Sequence, residues 1–318
     1  MLSRVADSLY WLSRYLERAE HTARMLDVHL NLGLDQSQGM SVRENRERLM
    51  MSMWQTAAGS NNVLDDDYRL TDYLTFDTNN PKSIVMVIAA ARENARQVRE
   101  QISSEMWMQI NRLYLDMKCA TMPEIWEHQP HEFFRMVREG SHLFQGITDA
   151  TMNRDEGWQF IQLGRYIERA ASIARLLDVN FNALLIDNEA GGTYLQRIGL
   201  LKSVTSFEAY CKVYHADMQP NWIVEFLLFN ADFPHTIRFC IKQVCQALED
   251  IAVKSGRGTN NRLQRVAGRL QSSLSFDLVD DVLSGDLHRY LFDIQHQCDL
   301  IHMALYETYI TYTIEASA

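Results

Sequence analysis

The segment RYLERAEHTARMLDVHLN, Arg14 to Asn31, returns as RYIERAASIARLLDVNFN, Arg165 to Asn182, with 11 of 18 positions identical at an offset of 151 residues. A period that long does not fit a solenoid, so the simpler account is a duplicated helical unit. Read as a helix, the first copy sets Leu9, Leu12, Leu16, Ala19, Ala23, Leu26 and Leu30 at alternating steps of three and four, which makes one apolar stripe. The second copy answers with Phe160, Leu163, Ile167, Ala170, Ala174, Leu177 and Phe181. Small alanines in the middle of both stripes predict that another helix approaches closely there.

Identity extends to charges that packing alone would leave free to vary. Arg14, Glu17, Arg24 and Asp27 recur as Arg165, Glu168, Arg175 and Asp178. On a helical wheel Arg14, Glu17 and Arg24 share a polar face, while Asp27 sits at the edge of the stripe. Arg14 with Glu17, and Arg24 with Asp27, have the spacing of pairs within one helix. Two readings stand: structural ion pairs where the copies meet about a pseudo-twofold axis, or a doubled face that holds a ligand or partner.

A second match supports the duplication. YLTFDTNNPKSI, from Tyr73, aligns with FLLFNADFPHTI, from Phe226, at an offset of 153, keeping Leu74/Leu227, Phe76/Phe229, Pro81/Pro234 and Ile84/Ile237 together. Asn111-Arg112-Leu113 against Asn261-Arg262-Leu263 is a weaker third. The expected helices run from Leu2 to Leu34, Arg43 to Ala58, from Pro81 with Asn79 or Asn80 as cap, Ser103 to Met117, and from about His131 straight into the second copy. Helices then follow over Tyr194 to Tyr214, from Pro220, over Arg262 to Arg269, and from an Asp286 cap to about Thr313. The expected fold is all-α, a helical bundle of two duplicated units of about 150 residues, residues 1–150 and 151–318, packed as one domain.

Composition agrees: 47% hydrophobic, 23% charged, with only 5 prolines and 14 glycines, suits a well-packed helical protein. The apolar run Ile84 to Ala91 falls far short of the roughly 20 residues of a membrane span. The first residues lack the apolar core and cleavage site of a secretory signal, which gives a cytoplasmic expectation. Five cysteines at irregular spacing, with no CxxC pair, read as free and mostly buried thiols. A net charge of −10 argues against a nucleic-acid surface.

The search for chemistry excludes more than it finds. The chain has no GxxxxGK phosphate loop, dinucleotide GxGxxG or GxSxG elbow. Glu17 and His21 are four apart rather than the three of a di-iron ExxH, and Ser172 replaces His21 in the second copy, so no metal or cofactor is expected. His288, His296 and His302 with Cys298 do not converge on one ion, and Cys211 beside Tyr214 and His215 is a weak case for a nucleophile. Two arginine clusters, Arg92, Arg96 and Arg99, and Arg262, Arg265 and Arg269, can present forks to carboxylate or phosphate, or be solvated helix faces. The tryptophans, Trp54 among them, read as core aromatics.

The opening MLSRVADSLYWLSRYLERAEHTARMLDV, the central ARENARQVREQISSEMWMQINRLY and the stretch GITDATMNRDEGWQFIQLGRYIERA together resemble the bacterial alpha-E domain family. That all-helical family is named for a Glu-Arg motif, matched here by Glu17-Arg18 and Glu168-Arg169. The resemblance implies company with circularly permuted ATP-grasp proteins and transglutaminase-like proteins, hence an amide- or peptide-forming setting. Its leading implication is a helical accessory or substrate-presenting partner of an ATP-grasp type ligase. The alternatives are an enzyme with Glu17 or Glu168 as general base, and a non-catalytic small-molecule or peptide binder. The binding residues in play are Arg14, Glu17, Arg18, Arg24, Asp27, Arg165, Glu168, Arg169, Arg175, Asp178, Arg92 and Arg96. A closed interface among the repeated charges weakens the enzyme; an open cleft shared with Arg92 and Arg96 strengthens it. Oligomeric state stays open.

Overall fold

The computed structural model describes residues 1–33, 42–55, 62–128, 130–185, 192–256 and 262–311. Every regular element among them is a helix: α1 (Ser3–Gly33), α2 (Val42–Ser52), α3 (Asp67–Thr75), α4 (Ile84–Gln97), α5 (Ser104–Cys119), α6 (Met122–His128), α7 (Pro130–Thr151) and α8 (Glu156–Leu185). There follow α9 (Gly192–Ser203), α10 (Phe207–Tyr214), α11 (Pro220–Phe229), α12 (Ile237–Ser255), α13 (Arg262–Phe276), α14 (Val279–Ser284) and α15 (Leu287–Leu305), which runs on as a π-helical turn, Tyr306–Ile310. The all-α expectation holds.

The two copies of the repeat lie on α1 and α8, the longest helices, and these pack against each other more extensively than any other pair. Both stripes are buried from Leu9 to Leu26 and from Phe160 to Leu177, with Leu30 and Phe181 half-buried at their ends. The closest approach falls at Gly164 rather than at the alanines. A Cβ there would lie 2.2 Å from the Tyr10 carbonyl oxygen and 2.2 Å from Ser13 Oγ, so only glycine lets the backbones come this near. Ser13 and Gly164 are corresponding positions of the repeat.

Around this axis two sets of three helices pack in the same pattern. α1 packs with α4 and α7, and α5 bridges those two; α8 packs with α12 and α15, and α13 bridges those two. The inward face of α4 is Ile84, Val87, Ile88, Ala91 and Ala95, and that of α12 is Ile237, Cys240, Ile241, Val244, Leu248 and Ile251. One continuous core takes in both halves.

Local chemistry sets the boundaries. Ser103 Oγ accepts from the Met106 amide to start α5, Asp286 accepts from Arg289 to start α15, and Pro220 opens α11. Other expectations need correction. α4 starts at Ile84, three residues after Pro81, because the Asn80 side chain is spent folding the turn: it accepts from the Lys82 amide at 3.0 Å and donates to Gln55 at 2.9 Å. The single helix expected over Tyr194 to Tyr214 breaks at Val204 to Ser206, where Thr205 takes φ 58°. α7 and α8 are likewise separated at residues 152–155. α2 ends at Ser52, with Trp54 at φ 49°. The expected ends at Leu34, Ala58 and Thr313, and the position of Asn261, lie outside the described residues.

Candidate functional site

Glu17 and Glu168 face each other's helices, and each accepts the arginine that follows the other. Arg169 donates to Glu17 through Nε and Nη2, the latter at 2.9 Å, and Arg18 donates from Nε to Glu168 Oε1 at 2.7 Å. Arg14 adds a further bond to Glu168 Oε2, also 2.7 Å. The Glu-Arg dipeptides of the two copies therefore clasp reciprocally across the α1–α8 seam. Both glutamates are 3% exposed, which removes them from water and makes the guanidinium partners obligatory. Burial alone would raise the Glu168 carboxyl, but Arg14 and Arg18 outweigh it and hold it at about 2. Burial likewise opposes the charge of Arg169, and Glu17 reverses the effect.

On the Glu168 side the clasp borders a cavity of about 290 Å³ between α1, α8 and α15 and the turns that follow α2 and precede α4. Arg14, Arg18, Lys82, Glu168, His21 and Asp299 supply its ionisable wall. On the Glu17 side the space is about 10 Å³, bounded by Glu20, Arg24 and His235. Burial pushes the His235 imidazole well below its ordinary range, and that of His21 also down, so both stay neutral in this layer.

The sequence profile of the family described as "a predicted alpha-helical domain with a conserved ER motif" matches residues 1–310. The chain belongs to the Alpha-E family. Two Glu-Arg dipeptides of this chain, Glu17-Arg18 and Glu168-Arg169, meet across the seam. Similar relatives include an uncharacterized protein of Mycobacterium bovis and two of Mycobacterium tuberculosis, each 23% identical over 283 residues and covering 82% of this chain. The Alpha-E chain spans only 31% of the length of those relatives. No solved structure matches it.

The other candidate residues of this Alpha-E chain are dispersed. The spacing suggested Arg14–Glu17 and Arg24–Asp27 pairs within α1, and the structure corrects both. Arg14 and Glu17 turn to α8, and Arg24 pairs with Glu20, one turn earlier on its own buried face. Asp27 instead meets α7, at 3.0 Å from Arg138 and 2.7 Å from His131. In the second copy Arg175 and Asp178 do pair, at 3.6 Å, and Arg175 also donates to the Met51 carbonyl at 2.8 Å. Asp178 is held by His288 of α15 as well. Arg165 is buried with Gln162 Oε1 at 3.3 Å as its acceptor, and burial lowers its pKa.

Arg92 and Arg96 do not join the clasp. Arg92 donates to Asn111 of α5 at 2.7 Å and lies over the Tyr114 ring, and Arg96 is exposed and paired with Glu93 on its own helix. Arg262, Arg265 and Arg269 form an exposed face of α13. His302 is 3.0 Å from Tyr10 Oη and stacks on its ring, and burial lowers its pKa to about 4. No group of three metal-ligating side chains occurs among the described residues. Burial raises the Cys211 thiol, the wrong direction for a nucleophile. The cysteines are free, with Cys119 exposed and Cys211 half-buried. Trp54, read as a core aromatic, is 40% exposed at the cavity rim. No helix of the described residues is long and apolar enough to cross a membrane.

Sequence reasoning missed Lys82, Glu20 and His235, which belong to this layer. The aligned segments around Pro81 and Pro234 held the signal for two of them, since Lys82 and His235 occupy the same place after those prolines.

Proposed function

We propose that this Alpha-E chain is a non-catalytic helical module, an accessory or substrate-presenting partner of an ATP-grasp type amide- or peptide-forming ligase. The observation that carries the non-catalytic part is the closure of the Glu-Arg clasp. A general base works best with a pKa near the operating pH, and Glu168, at about 2 with both oxygens bonded to guanidinium, is poorly suited to take a proton. The dispersal of Arg92 and Arg96 away from the clasp points the same way. The modular part draws support from the relatives, in which the matched region is under a third of a longer chain. The ligase association rests on the family resemblance alone.

The chain reads further as two copies of one four-helix unit, residues 1–150 and 151–318, packed as one domain. The paired groups α1/α4/α5/α7 and α8/α12/α13/α15 support that reading. To test the partnership, the tagged chain is isolated from its own cells under gentle conditions and its companions identified by mass spectrometry. Co-purification of an ATP-grasp protein, reproduced with the two purified proteins, is the expected result. Failure of the purified pair to associate removes the ligase-partner reading.

A further inference from the structure

The repeat reaches beyond the segments that first revealed it. Leu49 and Ser52 of α2 stand 151 residues before Leu200 and Ser203 of α9, and each helix runs out into a non-glycine residue in the left-handed region, Trp54 at φ 49° and Thr205 at φ 58°. The next amide closes the same turn in both: Gln55 N–H to the Met50 carbonyl at 3.0 Å, and Ser206 N–H to the Leu201 carbonyl at 2.8 Å. Each half of the clasp thus borders a space walled by corresponding parts. One has Arg18, Met53 and Lys82, and the other has Arg169, Val204 and His235.

The two spaces differ in what fills them. The repeat aligns Ala171, on the wall of the 290 Å³ cavity, with Glu20, on the wall of the 10 Å³ one. Glu20 is 2% exposed, accepts from Arg24 and lies 3.5 Å from His142 Nε2. In the closed half the chain supplies its own carboxylate to a cationic layer. In the open half a methyl group stands at that position and the layer's donors are left over. Among the described residues, Arg18 spends only Nε, on Glu168, and Lys82 Nζ makes one bond, to the Trp54 carbonyl at 2.7 Å; His21, which lines both spaces, has its Nε2 buried without a partner among them. Three cations (Arg14, Arg18, Lys82) face two carboxylates (Glu168, Asp299) across the cavity.

We propose that the open cavity is a binding site for a small molecule bearing one carboxylate, which completes in trans what Glu20 completes internally in the other half. The cavity lies at the lower end of ligand-pocket volumes, roughly 300 Å³, which suits an acylated amino acid rather than a nucleotide. Lys82 is the grip: burial and the neighbouring Arg18 both work against its charge, a tension an incoming anion relieves. This inference needs no ligase and stands apart from the partnership proposed above.

The test is calorimetric titration of the full chain with N-acetylalanine, with N-acetylalaninamide and inorganic phosphate as comparison probes. Saturable millimolar or tighter binding of N-acetylalanine is expected, with none of the neutral amide. Lys82→Gln should weaken it by roughly tenfold or more, the loss of one charge-assisted hydrogen bond. Ala171→Glu should abolish it by planting the internal acid, while Arg96→Gln, remote and exposed, should leave it unchanged. Circular dichroism and thermal melting confirm that each variant folds. Absence of saturable N-acetylalanine binding, equal binding of the amide, preference for phosphate, or unchanged affinity in folded Ala171→Glu each overturns the proposal.

Discussion

Glu168 holds two guanidiniums at 2.7 Å from a position 3% exposed, so its charge is required by the groups around it. Glu168→Gln keeps the shape and removes the charge. It should cost about 3 kcal/mol in urea unfolding, the lower end for a broken buried pair because Arg18 keeps some contact with water. A loss below about 0.5 kcal/mol would mean that the pair is not structural. The same residue sets a pH response. Its folded pKa of about 2 lies below its ordinary value of 4.5, so its stabilisation is present above pH 4.5 and is lost as pH falls toward 2. His302 adds an earlier step: with a folded pKa of about 4 against an ordinary 6.5, the unfolded chain takes up a proton first, and stability declines as pH falls through that interval. Melting temperature against pH should therefore drop in two stages below neutrality, and Glu168→Gln should shrink the lower one, to which the lowered carboxyls of Glu20 and Asp67 also contribute.

At the scale of the element, the seam between α1 and α8 depends on Gly164. Gly164→Ala places a methyl against backbone at 2.2 Å, which no rotamer relieves, so the helices must part. Destabilisation of about 2–3 kcal/mol is expected, with Gly146→Ala, whose Cβ meets nothing within 4 Å, as a harmless control. The stripes on these helices were legible because residues three and four apart share a face whatever the helix meets. The partners of the charges were not. Spacing within one helix offered Arg14 to Glu17 and Arg24 to Asp27, while the actual partners come from α8, one turn earlier on α1, and α7. A wheel puts Glu17 and Arg24 on a polar face but does not show which helices cover it. They are buried because α1 is covered by α4, α7 and α8 together. The breaks at Trp54 and Thr205 escaped notice because neither residue type signals a left-handed turn.

Across the whole molecule, one core joins both halves and the clasp crosses between them. Heat or denaturant should therefore unfold the chain in one step, with circular dichroism and tryptophan fluorescence coincident. Residues 1–150 alone should lack native helix content, because α1 would expose the face that α8 covers. A first half that folds by itself would contradict the view that the seam is obligatory. The all-helical class and the place of the Glu-Arg motif could be read from the repeat. The cavity could not, since Lys82, Glu168 and Asp299 come from three distant parts of the chain and only the packing of α15 and two turns against the seam brings them together.

The central claim is that the Glu-Arg motif is a clasp between α1 and α8. A double-mutant cycle across Glu17 and Arg169, with Glu17→Gln, Arg169→Gln and both together followed by urea unfolding, tests it most directly. A clasp predicts strong coupling, about 1–3 kcal/mol, with the double variant less destabilised than the two single losses summed. Losses that add to within about 0.5 kcal/mol would show that the two residues do not hold each other, and the clasp would fall with them.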